Sequence, residues 1–179
     1  MPIQTISPVS NRFIATISAV VLFASVISDV ANAQSSFVAP ALPAVPDEIY
    51  NITNYGAVGD DMATNTIAIQ ATVQAASAAG GGTVEVPAGV YLSGPIQLAS
   101  RIRLQLDEGA ILRMLPLGKY PGGTRNPADF LRGAGLQDVA ISGAGMIDGQ
   151  GIPWWPYARV GGARRPRMIA MSSCERVLI

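Results

Sequence analysis

Along the chain the spacing of apolar positions changes once. From Asn65 to Ala79 there is no Gly or Pro, and Ile69, Val73 and Ala76 recur at the i, i+4, i+7 spacing of one helical face. Thr64 or Asn65 can cap the start and Gly80-Gly81-Gly82 supplies the stop, so the pattern predicts one short amphipathic helix over 65–79. Beyond it come brief strand-like runs at 83–86, 96–98, 102–106, 111–114, 139–142, 146–148, 168–171 and 177–179. Turn residues separate them, at Pro87-Ala88-Gly89, Ser93-Gly94-Pro95, Glu108-Gly109 and Gly143-Ala144-Gly145.

Three of the runs open alike, with Ser100-Arg101-Ile102, Gln137-Asp138-Val139 and Glu175-Arg176-Val177, at intervals of 37 and 38 residues. Each is a polar pair followed by alternating apolar positions, as equivalent points on successive turns of a solenoid would be. A sandwich is the alternative for so many short strands. A single early helix followed only by strands favours the solenoid, because the first turn of such a coil needs a cover for its apolar interior. Ile102, Leu104, Val139, Ile141, Val177 and Ile179 are then expected to point inward, with the helix over the open end.

The amino terminus has a different character. Residues 13–27 are mostly apolar, Arg12 precedes them and Ala31-Asn32-Ala33 follows, which reads as a signal peptide of residues 1–33 cut between Ala33 and Gln34. The apolar run is too short for a membrane span. The expected product is a secreted protein, extracellular or periplasmic, with no stable membrane association. Residues 34–48, with Pro40, Pro43 and Pro46 at every third position, read as an extended spacer. The 49–179 segment is the expected folded domain.

Composition narrows the chemistry. Lys plus Arg and Asp plus Glu each total 12, so the net charge is zero and nucleic acid is not an expected partner. With no His and one Cys, the chain cannot build a Cys/His zinc site, a Ser-His-Asp triad or a Cys-His pair. An exported chain meets an oxidising environment, where a lone Cys174 is either a buried thiol or half of a bridge with a missing partner. Gly143-x-Gly145-x-x-x-Gly149 does not have the dinucleotide-loop spacing, and neither metal nor cofactor is expected. Asn51-Ile52-Thr53 matches an N-glycosylation sequon.

Certain residues resemble a known family. Tyr55-Gly56-Ala57-Val58-Gly59-Asp60, Gly80-Gly81-Gly82-Thr83-Val84 and Val86-Pro87-Ala88-Gly89-Val90-Tyr91 look like the opening of secreted pectin-degrading β-helix proteins. Ile147-Asp148-Gly149-Gln150-Gly151, Trp154-Trp155, Arg165-Pro166 and Cys174 resemble the polygalacturonase branch of the glycoside hydrolases. The resemblance implies an all-β, right-handed parallel β-helix with an N-terminal capping helix. It further implies cofactor-free hydrolysis of α-1,4-galacturonosyl bonds in pectin by Asp acid and base catalysis, in a protein that is monomeric at full length. Rival readings are a uronan lyase and a non-catalytic, glycan-binding or adhesive solenoid. Two departures stand out. Thr64 occupies the place of the family's usual helix-capping Asp, and the family's Asn-Thr-Asp, Asp-Asp, Gly-His-Gly and Arg-x-Lys motifs are absent. The chain therefore reads as an N-terminal part, with no catalytic residue of its own.

The residues themselves agree on the last point. An inverting glycosidase needs two carboxyl groups about 6.5–9.5 Å apart, and Asp60, Asp61, Asp107, Glu108 and Asp148 all fall in turn compositions where Asp orders backbone. No dyad can be named among them. Binding is more legible. Residues 34–98 carry five acidic and no basic side chains, whereas 99–179 carry eleven basic against six acidic. Arg159, Arg164, Arg165 and Arg167 cluster, and guanidinium groups suit the carboxylates of an acidic sugar, although a solvated surface is the plain alternative. Trp154, Trp155 and Tyr157 can stack on sugar rings or pack their loop against the solenoid. Trp154, Trp155, Arg164, Arg165 and Arg167 are the expected contacts to a polysaccharide such as polygalacturonate.

Overall fold

The computed structural model describes residues 39–159 and 164–179. The leader 1–33, its cleavage point at Ala33 and Gln34, and the start of the spacer lie outside these residues.

The strands are β1 (Ile49–Asn51), β2 (Asp60–Thr64), β3 (Gly82–Val86), β4 (Gly89–Ser93), β5 (Ile96–Gln97), β6 (Ile102–Leu106), β7 (Ala110–Met114), β8 (Leu131–Ala134), β9 (Gln137–Gly143), β10 (Met146–Asp148), β11 (Ile169–Ser172) and β12 (Glu175–Leu178). Helix α1 is Thr66–Ala78, α2 is Trp155–Arg159, and two 3₁₀ turns occupy Ile52–Tyr55 and Ile152–Trp154. Strands pair only in parallel, in three sheets of order β1-β3-β6-β9-β12, β10-β7-β4-β2 and β11-β8-β5. The chain visits the three sheets in rotation, which makes a right-handed parallel β-helix. Four strands, β1, β2, β4 and β8, are not among the sequence-predicted runs. Their compositions hide them: β2 holds two Asp and a register shift, β4 opens on Gly89, and β8 contains Gly133.

Stacking follows from the strand period of two. In β6 and β7 burial alternates residue by residue, so like faces like on adjacent coils. Leu104 lies between Val84 and Ile141 in register, and Val177 lies on Val139. Ile102, Leu104, Val139 and Ile141 are buried as expected, each worth about 1.5–3 kcal/mol in removed apolar surface. Val177 is half-buried, and Ile179 departs from the expectation at 69% exposed. It falls one residue past β12, outside the ladder that turns side chains inward.

The corner entering the first sheet explains the recurring polar pair. Arg101, Asp138 and Arg176, the second member of each pair, take left-handed backbone with φ of 61°, 58° and 53°. That region is costly for residues with a Cβ, so the corner is held from outside. Arg176 donates to both oxygens of Asp138 at 2.6 and 2.9 Å, and the spacer's Ala44 N–H donates to the same carboxylate at 3.0 Å. These hydrogen bonds, Arg176's first, keep Asp138 well below the usual carboxylate range. At the far end of β9, Gly143 has φ of 112° and a Cβ there would run into the Leu106 carbonyl, so no other residue fits.

Helix α1 stands where the first coil would place its strand in the third sheet. It buries Ile69, Val73 and Ala76, as the spacing predicts, and Thr72 with them, against β1, β3, β5 and the first 3₁₀ turn. Gln70 completes the substitution: its side-chain amide accepts from Gln97 N–H at 2.9 Å and donates to Gln97 C=O at 3.0 Å. A side chain thus plays the neighbouring strand for β5. Asn65 is at the cap position, yet its side chain makes no cap bond. It turns back instead, accepting from Val58 N–H and donating to the Val58 and Ala63 carbonyls, which fixes the loop before the helix. Thr64 does not cap the helix either, since it ends β2.

Leu104→Ala is expected to cost about 2–5 kcal/mol, because the rows on either side cannot close over the lost volume. Urea unfolding checks this, through a lower midpoint at an unchanged slope.

Candidate functional site

Two depressions on one flank of the solenoid bring the basic residues together. The larger, of about 620 Å³, lies between the ends of β7 and β10, the 3₁₀ turn at Ile152–Trp154 and the 164–168 segment that leads into β11. Its floor is apolar, from Met114, Ile147 and Met168, and Arg164, Arg165 and Arg167 stand at its wall. The loop bases are pinned. Gln150 donates from its side chain to Met114 C=O at 2.6 Å, and its N–H donates to Asp148 at 2.9 Å.

The three expected arginines reach the cleft, but on different terms. Arg164 and Arg165 are exposed and make no ion pair among the described residues. Arg167 grips Asp129 with two bonds, Nε to Oδ1 at 3.0 Å and Nη2 to Oδ2 at 2.7 Å, and its backbone N–H adds a third at 3.0 Å. The Arg167 hydrogen bond, opposed by partial burial, leaves the Asp129 carboxyl below its ordinary range. Arg159 lies in α2 and does not line the cleft.

The paired tryptophans separate. Trp154 is 2% exposed and stacks edge-on against Tyr120, centroids 5.9 Å apart and planes at 83°. Tyr120 in turn donates to Ala128 C=O at 2.9 Å, and burial pushes its phenol well above the usual range. Trp154 therefore packs its loop against the solenoid, one of the two readings the sequence left open, and still stands among the residues that line the cleft. Its Nε1 is buried without a hydrogen-bond partner among the described residues. Trp155 and Tyr157 are half exposed, at 51% and 50%, and lie outside the lining of the cleft.

The candidate carboxylates serve the fold, as their turn settings suggest. Asp60 accepts from the N–H groups of Ala63 and Met62, which hold it below its ordinary range. Asp107 accepts from Gln105. Asp61 and Asp148 share Arg113, at 2.7 and 2.9 Å, and Glu108 is exposed in its turn. The Asn51 amide of the sequon donates to Glu85 at 2.6 Å while its oxygen orders Thr53. Cys174 is free and half-buried, its thiol donating to Ser172 C=O. Asp129, Arg132 and Gln97 were not predicted. Asp129 could have been found from the coil period, since it lies 38 residues before Arg167, as Asp138 does before Arg176.

The chain is a right-handed parallel β-helix with a helical cap and a basic cleft on its flank. Residues 49–109 match the family model for rhamnogalacturonase A/epimerase, pectate lyase-like. The chain is 33% identical over 141 residues to a Vitis vinifera protein named "probable polygalacturonase", covering 68% of this chain and 29% of that one. It is 34% identical over 134 residues to an exo-poly-alpha-D-galacturonosidase of Dickeya chrysanthemi, covering 65% and 22%. The exopolygalacturonase structure from Thermotoga maritima superposes with a TM-score of 0.59 at 27% identity, over 72% of this chain and 32% of that one. The chain has the right-handed parallel β-helix fold of this solved neighbour and is similar in sequence to polygalacturonases; it spans less than a third of the length of the two sequence relatives.

The Asp129–Arg167 pair predicts an acid dependence. Asp129 has a folded pKa below its unfolded value of about 3.9, so its stabilisation is complete above that value and is lost as pH falls through the folded pKa. Melting of the wild type should fall more steeply than that of Asp129→Asn as pH is lowered from about 4. Parallel curves for the two proteins would contradict the pairing.

Proposed function

We propose that the chain forms the first coils of a secreted polygalacturonase-like hydrolase and that its own contribution is to hold an acidic polysaccharide beside the catalytic coils. The observation that carries this reading is the cleft in which Arg164 and Arg165 stand over an apolar floor with no ion pair among the described residues, on a chain similar to polygalacturonases. Guanidinium groups take the uronate carboxylate, and the apolar floor suits the C–H face of a pyranose ring. Bond cleavage is hydrolysis of α-1,4-galacturonosyl linkages, with a carboxylic acid protonating the leaving oxygen and a carboxylate activating water. This reading gives neither role to Asp60, Asp61, Asp107, Asp129, Asp138 or Asp148, which are all engaged by backbone or by neighbouring side chains. The acid and base would come from further coils of the full-length protein.

The test is reducing-sugar release from polygalacturonate. The 179-residue chain should give none, and a protein continuing into further coils should give turnover without added cofactor. Turnover by the short chain that disappears in Asp148→Asn would place the acid or base among the residues described.

Secretion is the second part of the proposal, supported by the apolar run at 13–27 and the small-residue triplet ending at Ala33. Amino-terminal sequencing of exported protein should begin at Gln34. Protein retained in the membrane with Met1 intact would refute it.

A further inference from the structure

Each strand ladder of the solenoid joins neighbouring coils. The proline-rich segment before β1 makes a contact of another kind. Its Ala44 N–H donates to Asp138 across 94 residues of sequence, the greatest separation among the side-chain hydrogen bonds of the described residues. The segment reaches that point by a definite path. Glu48 C=O accepts from Thr83 N–H at 2.8 Å, which fixes its end beside β1 and β3. Pro46 then lies on Gly81, where a Cβ would stand 2.9 Å from the proline Cδ, so that corner has no room for a larger residue.

Gly81 precedes β3 as Arg101 precedes β6, Asp138 precedes β9 and Arg176 precedes β12, and all four have positive φ. They form one row of corners, and the segment passes from the Gly81 level over that of Arg101 to Asp138. The spacing of the prolines suits this course. An extended proline-rich chain rises about 3.1 Å per residue, so the step from Pro46 to Pro43 covers about 9.3 Å, against about 9.6 Å for two coil spacings. Pro43, Val45 and Pro46 are half-buried, whereas Ala44 shows its side chain to solvent and turns its N–H to the carboxylate. Asp138 is a firm post for it, because Arg176 of the next corner holds both oxygens.

In a stack held only by neighbour contacts, an end coil can open against the next without disturbing the rest. We propose that residues 40–46 are a strap that makes the cap end of the solenoid one cooperative unit: seated on Gly81 and pinned at Asp138, it ties the first coil to the fourth, and the corners between them open only when it lifts. The single bond from Ala44 is the latch. None of this depends on what the arginine cleft binds.

Native-state hydrogen exchange of the chain tests it, since it reads the opening of each amide separately. Ala44→Pro removes the donated N–H and keeps the extended backbone. Gly82, Thr83 and Arg101, whose N–H groups bond the carbonyls of Arg101, Glu48 and Gln137, should then exchange about tenfold faster. Leu115, bonded to Ser93 C=O away from the corner row, should stay within about twofold. Ala44→Ser keeps the N–H and should leave all four amides within about twofold. Unchanged exchange at the three corner amides in Ala44→Pro would overturn the strap. Acceleration that includes Leu115 to the same degree would also overturn it, because the stack would then open as a whole with no separate cap-end unit. Equal acceleration in Ala44→Ser would overturn the latch, since the donor would not be what holds the corners.

Discussion

A parallel strand cannot pair with its own sequence neighbour, so each strand here finds its hydrogen-bond partners on adjacent coils. That requirement makes the register between adjacent coils the governing quantity of the molecule. It forces the chain through the same three directions again and again, puts Val84, Leu104 and Ile141 in one row, and turns Arg101, Asp138 and Arg176 into a single corner. The left-handed backbone at that corner is tolerated because the ladders on both sides determine it and because Asp138 is held by two neighbours at once. The helical cap follows from the same need. The first coil has nothing earlier to pair with among the described residues, and α1 answers on both counts, covering the interior with Ile69 and Val73 and satisfying the edge of β5 through Gln70.

Electrostatics are organised by that same register. Asp129 with Arg167 and Asp138 with Arg176 are partners 38 residues apart, and Arg113 with Asp148 are 35 apart. Each is a contact across adjacent coils on the outer surface. The basic excess of the second part of the chain is thereby divided into two populations. Arg113, Arg167 and Arg176 are spent on carboxylates that hold coils together, whereas Arg132, Arg164 and Arg165 remain available on the flank that carries the depressions. In an exposed pair the net stabilisation is small, about 0.2–1 kcal/mol, so the chief effect of such pairing is to decide which arginines stay free to meet a ligand.

What was legible in the sequence was whatever repeats locally. The run at Ile102–Leu106 alternates cleanly and has the bounds the pattern gave it, and the helix is displaced by only one residue at each end. The strand Asp60–Thr64 was hidden because its pairing comes from a neighbouring coil and its composition from a turn. Leu131–Ala134 was hidden because Gly133 faces the interior, where Met171 and Leu136 leave no room for a Cβ. The arginines of the cleft could be found by their clustering, but not the fact that Asp129 claims Arg167, which depends on a register that only the folded coil supplies. Trp154 and Trp155 are adjacent and chemically alike; only the path of the 3₁₀ turn decides that one enters the core against Tyr120 and the other meets solvent.

Arg113 joins three levels of the stack. It sits on β7, reaches Asp148 on the next coil, and on the other side passes over β4 to Asp61, which the bulged, left-handed start of β2 lifts within range. A stack in which each coil touches only its neighbours would accept the gain or loss of a whole coil. A bridge whose members come from fixed levels would not. Duplicating the coil that carries Arg113 would leave one copy of the arginine without Asp61 and the other without Asp148. In this stretch the number of coils is therefore counted by a single side chain.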